Sequence, residues 1–352
     1  MKKKKGQVKN FISIVLLIIF IIIGRYVGTN EVQSSINLSN NEVVASLSEN
    51  VDYNEEDGQT AKETLNKVVE NTEETSLSEK NIQNDARIAK EDVNFNNDKL
   101  NIMFFYVGQA DSSFIKLNDK TILIDAGNNG DGTNIANFLK EKSVTKIDYL
   151  IGTHCDEDHI GGLDEIVDDM EVGKILMPSK GRETANYKNV IKSAKRKNLR
   201  VENPNVGDDF KIDNMNMKIL SVENNDDYSD NNSSIVSEIT YINNKFLFMG
   251  DAEKEIENMY SWERVDVLKV GHHGSNTSST EKFLNQVKPT YSVIEVGKNN
   301  SYRLPNKYTI KRLENIGTKI LRTDTNETSF LMTSDGNSIN TVEANVNLDS
   351  GK

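Results

Sequence analysis

Thr153-His154-Cys155-Asp156-Glu157-Asp158-His159-Ile160-Gly161-Gly162 is the stretch on which the reading of this 352-residue chain turns. Within six positions it carries two imidazoles and two carboxylates at 154, 156, 158 and 159. The only other histidines are the adjacent pair His272 and His273. A chain that places all four of its imidazoles in two short motifs is built to hold metal, and mixed imidazole and carboxylate ligands suit zinc, manganese or iron. With the histidine pair added, the candidates exceed the four ligands that one structural zinc takes, and such a zinc usually draws on cysteine. The single cysteine, Cys155, can build neither a thiolate cage nor an intramolecular disulfide.

Working outward, each cluster stands where an apolar run stops. Residues 149–153 lead into His154, 246–250 into Asp251 and 265–270 into His272. Side chains at strand ends are held firmly yet reach a cleft, which is where sites are built. Further short runs rich in β-branched and aromatic residues, at 100–107, 114–117, 121–125, 217–222, 235–242 and 291–296, predict strands. Helical spacing over 133–142, 187–198, 253–259, 281–287 and 307–316, often opened by Asp, Asn, Ser or Thr, predicts the covering helices. Hairpin-like pairs followed by alternating strands and helices predict an α/β (α+β) domain of four layers, αββα, over 99–342, with 343–352 as a tail.

The rest of the chain has a different character. Residues 1–29 set Lys2 to Lys5, Lys9 and Arg25 around an apolar stretch from Phe11 to Ile23, which predicts a signal anchor or a cleaved signal peptide. The anchor is favoured because no small-x-small cleavage site follows Ile23. The N-terminal lysines then predict a single-pass protein with an extracellular C-terminal domain, or a secreted one if the segment is cut. Residues 30–98 hold 16 acidic and 5 basic side chains among Asn, Ser and Thr, and this composition predicts a solvated linker. Residues 99–352 keep a net charge of −7, which argues against broad charge-driven binding to a polyanion. The one dense basic run, 192–200, lies on a predicted helix without interleaved aromatics, and so reads as a solvated face.

The motifs together resemble the metallo-β-lactamase superfamily, whose first signature is His-x-His-x-Asp-His, and above all its ComEC-type branch. The likeness runs through Val107-Gly-Gln-Ala-Asp-Ser-Ser, Ile124-Asp-Ala-Gly, the 153–162 stretch, Asn232-Ser-Ser-Ile-Val, Met249-Gly-Asp, the 265–275 stretch and Arg322-Thr-Asp. The resemblance implies the αββα fold and a hydrolase centre with two divalent metal ions, Zn or Mn. Its ligands would be His154, Asp156, Asp158, His159, Asp251 and one of the pair His272 and His273, with His272 carried as the ligand. The other histidine would hydrogen-bond substrate or protonate the leaving group, and Asp158 would also orient the nucleophile. Asp111 and Asp125 would brace the metal loops, while Asn232, Ser233 and Arg303 would meet substrate.

Two departures bear on this. Position 156 is Asp where the wider superfamily has a second His, and no imidazole remains for the third ligand of the first site. That site is then oxygen-rich, with Asn232 or water filling in, and preference shifts from zinc toward manganese or magnesium. Arg303-Leu304-Pro305 stands where relatives place Gly-His-Pro. Two cations would supply hydroxide near neutral pH and clamp an anionic substrate, which predicts a membrane-tethered phosphodiesterase; that its substrate is DNA or a wall polymer is what the resemblance implies. Two alternatives are hydrolysis of a small ester, lactone or β-lactam, and a non-catalytic surface binding protein with a vestigial metal site.

Overall fold

The computed structural model describes residues 90–346 and residue 348. The expected N-terminal anchor and the acidic segment up to residue 89 lie outside the described residues. Among the described residues no helix is long and apolar enough to cross a membrane.

Two sheets form the centre. The first has nine strands: β1 (Glu91–Asp92), β2 (Leu100–Phe104), β3 (Ser113–Leu117), β4 (Lys120–Ile124), β5 (Lys146–Ile151), β6 (Glu171–Leu176), β7 (Val201–Glu202), β15 (Ser329–Ser334) and β16 (Ile339–Asn345). Their order is β1-β16-β15-β2-β3-β4-β5-β6-β7, and β4 to β7 run parallel. The second has seven: β8 (Asp209–Ile212), β9 (Met215–Ser221), β10 (Val236–Tyr241), β11 (Asn244–Phe248), β12 (Val267–Lys269), β13 (Tyr291–Ile294) and β14 (Lys319–Arg322). Its order is β14-β13-β12-β11-β10-β9-β8, with β11 to β14 parallel. Parallel neighbours need crossovers, and helices supply them. They are α1 (Asp131–Glu141), α2 (Glu157–Ile160), α3 (Leu163–Asp169), α4 (Ala185–Arg196), α5 (Lys254–Met259), α6 (Glu281–Val287) and α7 (Lys307–Asn315).

Strand alternation sorts the apolar side chains into three cores, and three cores make four layers. In β2, Leu100, Ile102 and Phe104 enter the core between the sheets, where Ile122, Met217, Phe246 and Phe248 also lie. Met103 and Phe105 point the other way, toward Ile135 and Leu139 of α1 and Leu163 and Ile166 of α3. Leu247 of β11 and Met249 just after it face Phe283, Leu284 and Leu313, buried side chains of α6 and α7. Each such side chain, fully buried, contributes roughly 1.5–3 kcal/mol of transfer free energy. The αββα arrangement expected from the sequence is therefore the one observed, in a mixed α/β domain.

The ordered sheet starts earlier and ends later than the 99 and 342 boundaries. Glu91 pairs with Ala344, Val93 is buried, and β16 continues to Asn345. Strands β6, β7, β8 and β14 to β16 carried no separate sequence expectation. Edge strands and strands with charged outer faces, such as β6 with Glu171 and Lys174, lack the continuous apolar run that marks a central parallel strand.

The topology positions the site. The C-terminal ends of β4 and β5 in one sheet and of β11, β12 and β13 in the other meet at one rim of the sandwich. Gly250 sits at φ +52° after β11, and a Cβ there would lie 2.9 Å from Ser234 Oγ and 3.0 Å from Thr153 Cβ, so the turn that presents Asp251 requires glycine.

Candidate metal centre

From the nine-stranded sheet, β5 ends in Gly152-Thr153 and delivers His154, Asp156, Asp158 and His159. From the seven-stranded sheet, β11 delivers Asp251, and β12 delivers the turn Gly271–Gly274 with both remaining histidines. The structure brings these together. His159 Nε2 lies 3.3 Å from Asp251 Oδ1 and His154 Nε2 lies 3.5 Å from Asp156 Oδ2. His273 Nε2 is 3.1 Å from Asp158 Oδ2 and 3.7 Å from Asp251 Oδ2, and His272 Nε2 is also 3.7 Å from Asp251 Oδ2.

Among the described residues three overlapping groups offer ligand atoms within 4.8 Å of one another: His154, His159 and Asp251; Asp158, His159 and His273; and Asp111, Asp125 and His159. His154 Nε2, His159 Nε2 and Asp251 Oδ1 are buried without a hydrogen-bond partner. Buried polar atoms are ordinarily satisfied, and three orphans aimed into one space fit a divalent cation.

Supporting contacts fix which ring nitrogens face that space. His159 Nδ1 sits 2.8 Å from Asp125 Oδ2, and Asp125 also accepts from the Thr153 N–H at 2.8 Å and the Thr153 hydroxyl at 2.7 Å. His273 Nδ1 donates to the Glu295 carbonyl at 2.9 Å, with Asp111 Oδ1 3.1 Å away. Hydrogen-bonded Nδ1 atoms leave both Nε2 atoms as candidate ligands. Asp125, His272 and His273 hold φ of +59°, +50° and +48°, left-handed conformations that non-glycine residues adopt only where surroundings enforce them.

The electrostatics show how much positive charge the centre calls for. Burial alone would push the His273 imidazole down, yet Asp251 and Asp111 outweigh it and raise it to about 10. His159 is likewise raised, against its burial, by Asp251 and Asp125. Asp251, though buried, is held well below the usual carboxylate range by His159 and His273. Imidazoles forced toward the cationic form by surrounding carboxylates stand where a metal's charge would be.

The other expected residues take distinct places. His272 is on the solvent side, its Nδ1 3.1 Å from Thr277 Oγ1 and 3.4 Å from Glu253 Oε1; that contact brings the Glu253 carboxyl down to about 2. Asn232 Oδ1 accepts from the Glu253 N–H at 2.9 Å and its amide donates to Glu255 at 3.3 Å, while Ser233 Oγ donates to Asp230 O at 2.6 Å. Both are buried with these atoms engaged: Asn232 ties to the segment that follows Asp251, and Ser233 closes its own turn on Asp230. Arg303 is exposed at φ +60°, on the loop whose Asn306 N–H donates to Gly274 O at 2.9 Å. A cavity of about 430 Å³ opens beside Asp158, walled by Val107, Gly108, Gln109, Asn128, Asp131, Glu157 and Tyr302.

Sequence reasoning did not single out Ser234, which accepts from the Asp251 N–H at 3.0 Å, or the buried Lys269 and Glu295. A signal for the last two existed: each is a charged residue inside an apolar run, and such a charge needs a buried partner.

A family profile described as the metallo-beta-lactamase superfamily matches residues 105–297. ComE operon protein 3 of Bacillus subtilis (strain 168) is 34% identical over 195 residues, 54% of this chain and 25% of that protein. Recombination protein 2 of Haemophilus influenzae is 30% identical over 214 residues, 59% of this chain and 25% of that protein. The chain thus spans about a quarter of the length of these curated relatives. Among solved structures, the metallo-beta-lactamase fold protein YhfI from Bacillus subtilis is similar at 10% identity and a TM-score of 0.47, over 67% of this chain and all of that one.

Proposed function

This chain belongs to the metallo-beta-lactamase superfamily, and from that premise we propose that its centre is a two-cation hydrolase site acting on phosphodiesters. The observation that carries the reading is the cluster of buried ligand atoms on His154, His159 and Asp251 that make no hydrogen bond. His154 and Asp156 would hold one ion, Asp158, His159 and His273 the other, and Asp251 would reach both. Zinc or manganese bound there supplies an activated water and a clamp for anionic oxygens.

The chain's own residues divide the remaining work. Asp125 and the Glu295 carbonyl keep His159 and His273 in the ligating tautomer. Asp158, partly open to the cavity, orients the nucleophile. His272, paired with Glu253 at the solvent edge, donates the proton that the leaving oxygen takes up. An imidazole whose partner favours its charged form is a competent acid, and burial of His272 is offset by Glu253 and Asp251, which raise it.

One relative's name, Recombination protein 2, refers to recombination, which supports a nucleic acid strand as the phosphodiester. The acidic rim, with Asp156, Glu157, Asp158 and Glu253, instead favours a short or sparsely charged ester such as a wall polymer. Export and anchoring by residues 1–29 belong to the same proposal. The test is turnover of bis-p-nitrophenyl phosphate, single-stranded DNA, wall polymer and a chromogenic β-lactam, each with manganese and zinc. Activity on a phosphodiester, lost in Asp251→Asn, is expected. Turnover of the β-lactam alone makes this a small-ester or lactam hydrolase, and a chain that binds no metal is a non-catalytic scaffold.

A further inference from the structure

Among the described residues Lys269 is the one lysine or arginine that is buried, and it lies at the end of β12 at 3% exposure. Its ammonium forms an ion pair with Asp111, lies 3.8 Å from Glu295 Oε2 and donates to Val270 O at 3.2 Å. A lone charge sealed from water is retained only where partners repay its lost hydration, and here two carboxylates surround it.

Those partners come from both sheets. Asp111 belongs to the loop before β3, where its N–H donates to Asp158 O at 3.0 Å and its carbonyl accepts from the Gly127 N–H at 3.0 Å. Glu295 follows β13, and its carboxylate reaches back across the sandwich to the Ser112 N–H at 3.2 Å and the Ser113 hydroxyl at 3.0 Å. Its carbonyl is the acceptor for His273 Nδ1. The candidate ligands divide along the same seam, with 154 to 159 on one side and Asp251 and His273 on the other.

We propose that Lys269 is a positioning residue that ties Asp111 to Glu295 across the two sheets and so sets the separation between the two halves of the metal site. Without the ammonium, nothing links the Asp111 carboxylate to the Glu295 carboxyl, and Asp111 is left with His273 Nδ1, 3.1 Å from its Oδ1, as its nearest cationic partner. The loop carrying Asp111 must then shift, and it takes the main chain of Asp158 and the contact at His273 with it. The inference rests on the metal-binding reading above.

The experiment is titration of the full chain with manganese and with zinc, read as affinity and stoichiometry, beside a thermal melt. Lys269→Met is expected to weaken metal affinity roughly 10- to 100-fold, as loss of an outer partner does, while Lys269→Arg, which keeps the charge, stays within a few-fold of the parent. A role confined to holding the fold would lower the melting temperature and leave the folded protein's metal affinity unchanged. A folded Lys269→Met with parental affinity overturns the proposal. Should that variant not fold, Asp111→Asn is read the same way: a drop of about tenfold or more supports the linkage, and parental affinity overturns it. Failure of the parent chain itself to bind either metal removes the metal centre and this inference together, a different result from parental binding that survives the substitution.

Discussion

Asp125 Oδ2 stands 2.8 Å from His159 Nδ1, and a hydrogen bond across that gap presents the opposite nitrogen to Asp251. Asp125 is itself held by both polar atoms of Thr153, one residue before His154, so one carboxylate orients elements on both sides of the motif. Asp125→Ala is therefore expected to weaken manganese or zinc binding about 10- to 100-fold with the ligand residues intact. Asp125→Asn, which keeps an acceptor, should lose less. Competition with a chromogenic chelator measures both, and unchanged affinity in the alanine variant would count against the bracing role.

The two adjacent histidines make separable predictions. His273 is buried against Asp158 and Asp251, whereas His272 faces Glu253 and Thr277 at the edge. His273→Ala should lose about half the bound metal. His272→Ala should keep its metal and lose turnover by about 10²- to 10⁴-fold, the usual range for a proton donor. Metal analysis alongside kcat on bis-p-nitrophenyl phosphate separates the two roles, and the reverse pattern would exchange their assignments.

In the metal-free chain, His273 titrates near 10 when folded and near 6.5 when unfolded. A group raised on folding contributes stability that is complete below its unfolded value and disappears as pH climbs through its folded one. Melting temperature without metal should thus fall between about pH 6.5 and 10. With saturating manganese the dependence should weaken, since the cation supplies the charge the imidazolium otherwise provides. Scanning calorimetry with and without chelator is the measurement, and a flat metal-free profile would sink the prediction.

Cys155 sits between two candidate ligands, but its thiol is buried and is pushed up to about 12, first by burial and then by the Asp156 charge. Thiolate is then scarce at neutral pH, and the cysteine should be inert. A thiol-reactive disulfide reagent at pH 8 is expected to label it only as fast as the chain unfolds. Rapid labelling of the native protein would contradict this.

Much of this architecture was legible in the residues. Apolar runs at 246–250 and 265–270 end at Asp251 and at the histidine pair because a buried strand interior is filled mainly by apolar side chains, a demand that lapses at its end. The alternation in β2 and β11 is what divides Phe104 from Phe105 and Phe248 from Met249 between cores. Other elements were less legible. Strand β7 has two residues and β1 two, too few for any period to register. Asn232 and Ser233 read as substrate groups from their motif; their contacts in the fold, Asn232 Oδ1 with the Glu253 N–H and Ser233 Oγ with Asp230 O in its own turn, are ones the motif does not reveal.

Local chemistry determined the layered fold, the metal-binding character of the two motifs and the strand ends that carry them, since residue type and spacing act over a few positions. Which histidine turns inward depends on contacts 22 and 115 residues away, to Glu295 and Asp158. The partnership of Lys269 with Asp111 spans 158 residues. Only the folded sandwich decides such pairings, because they join two sheets and are selected by the cost of burying a charge without its counterpart.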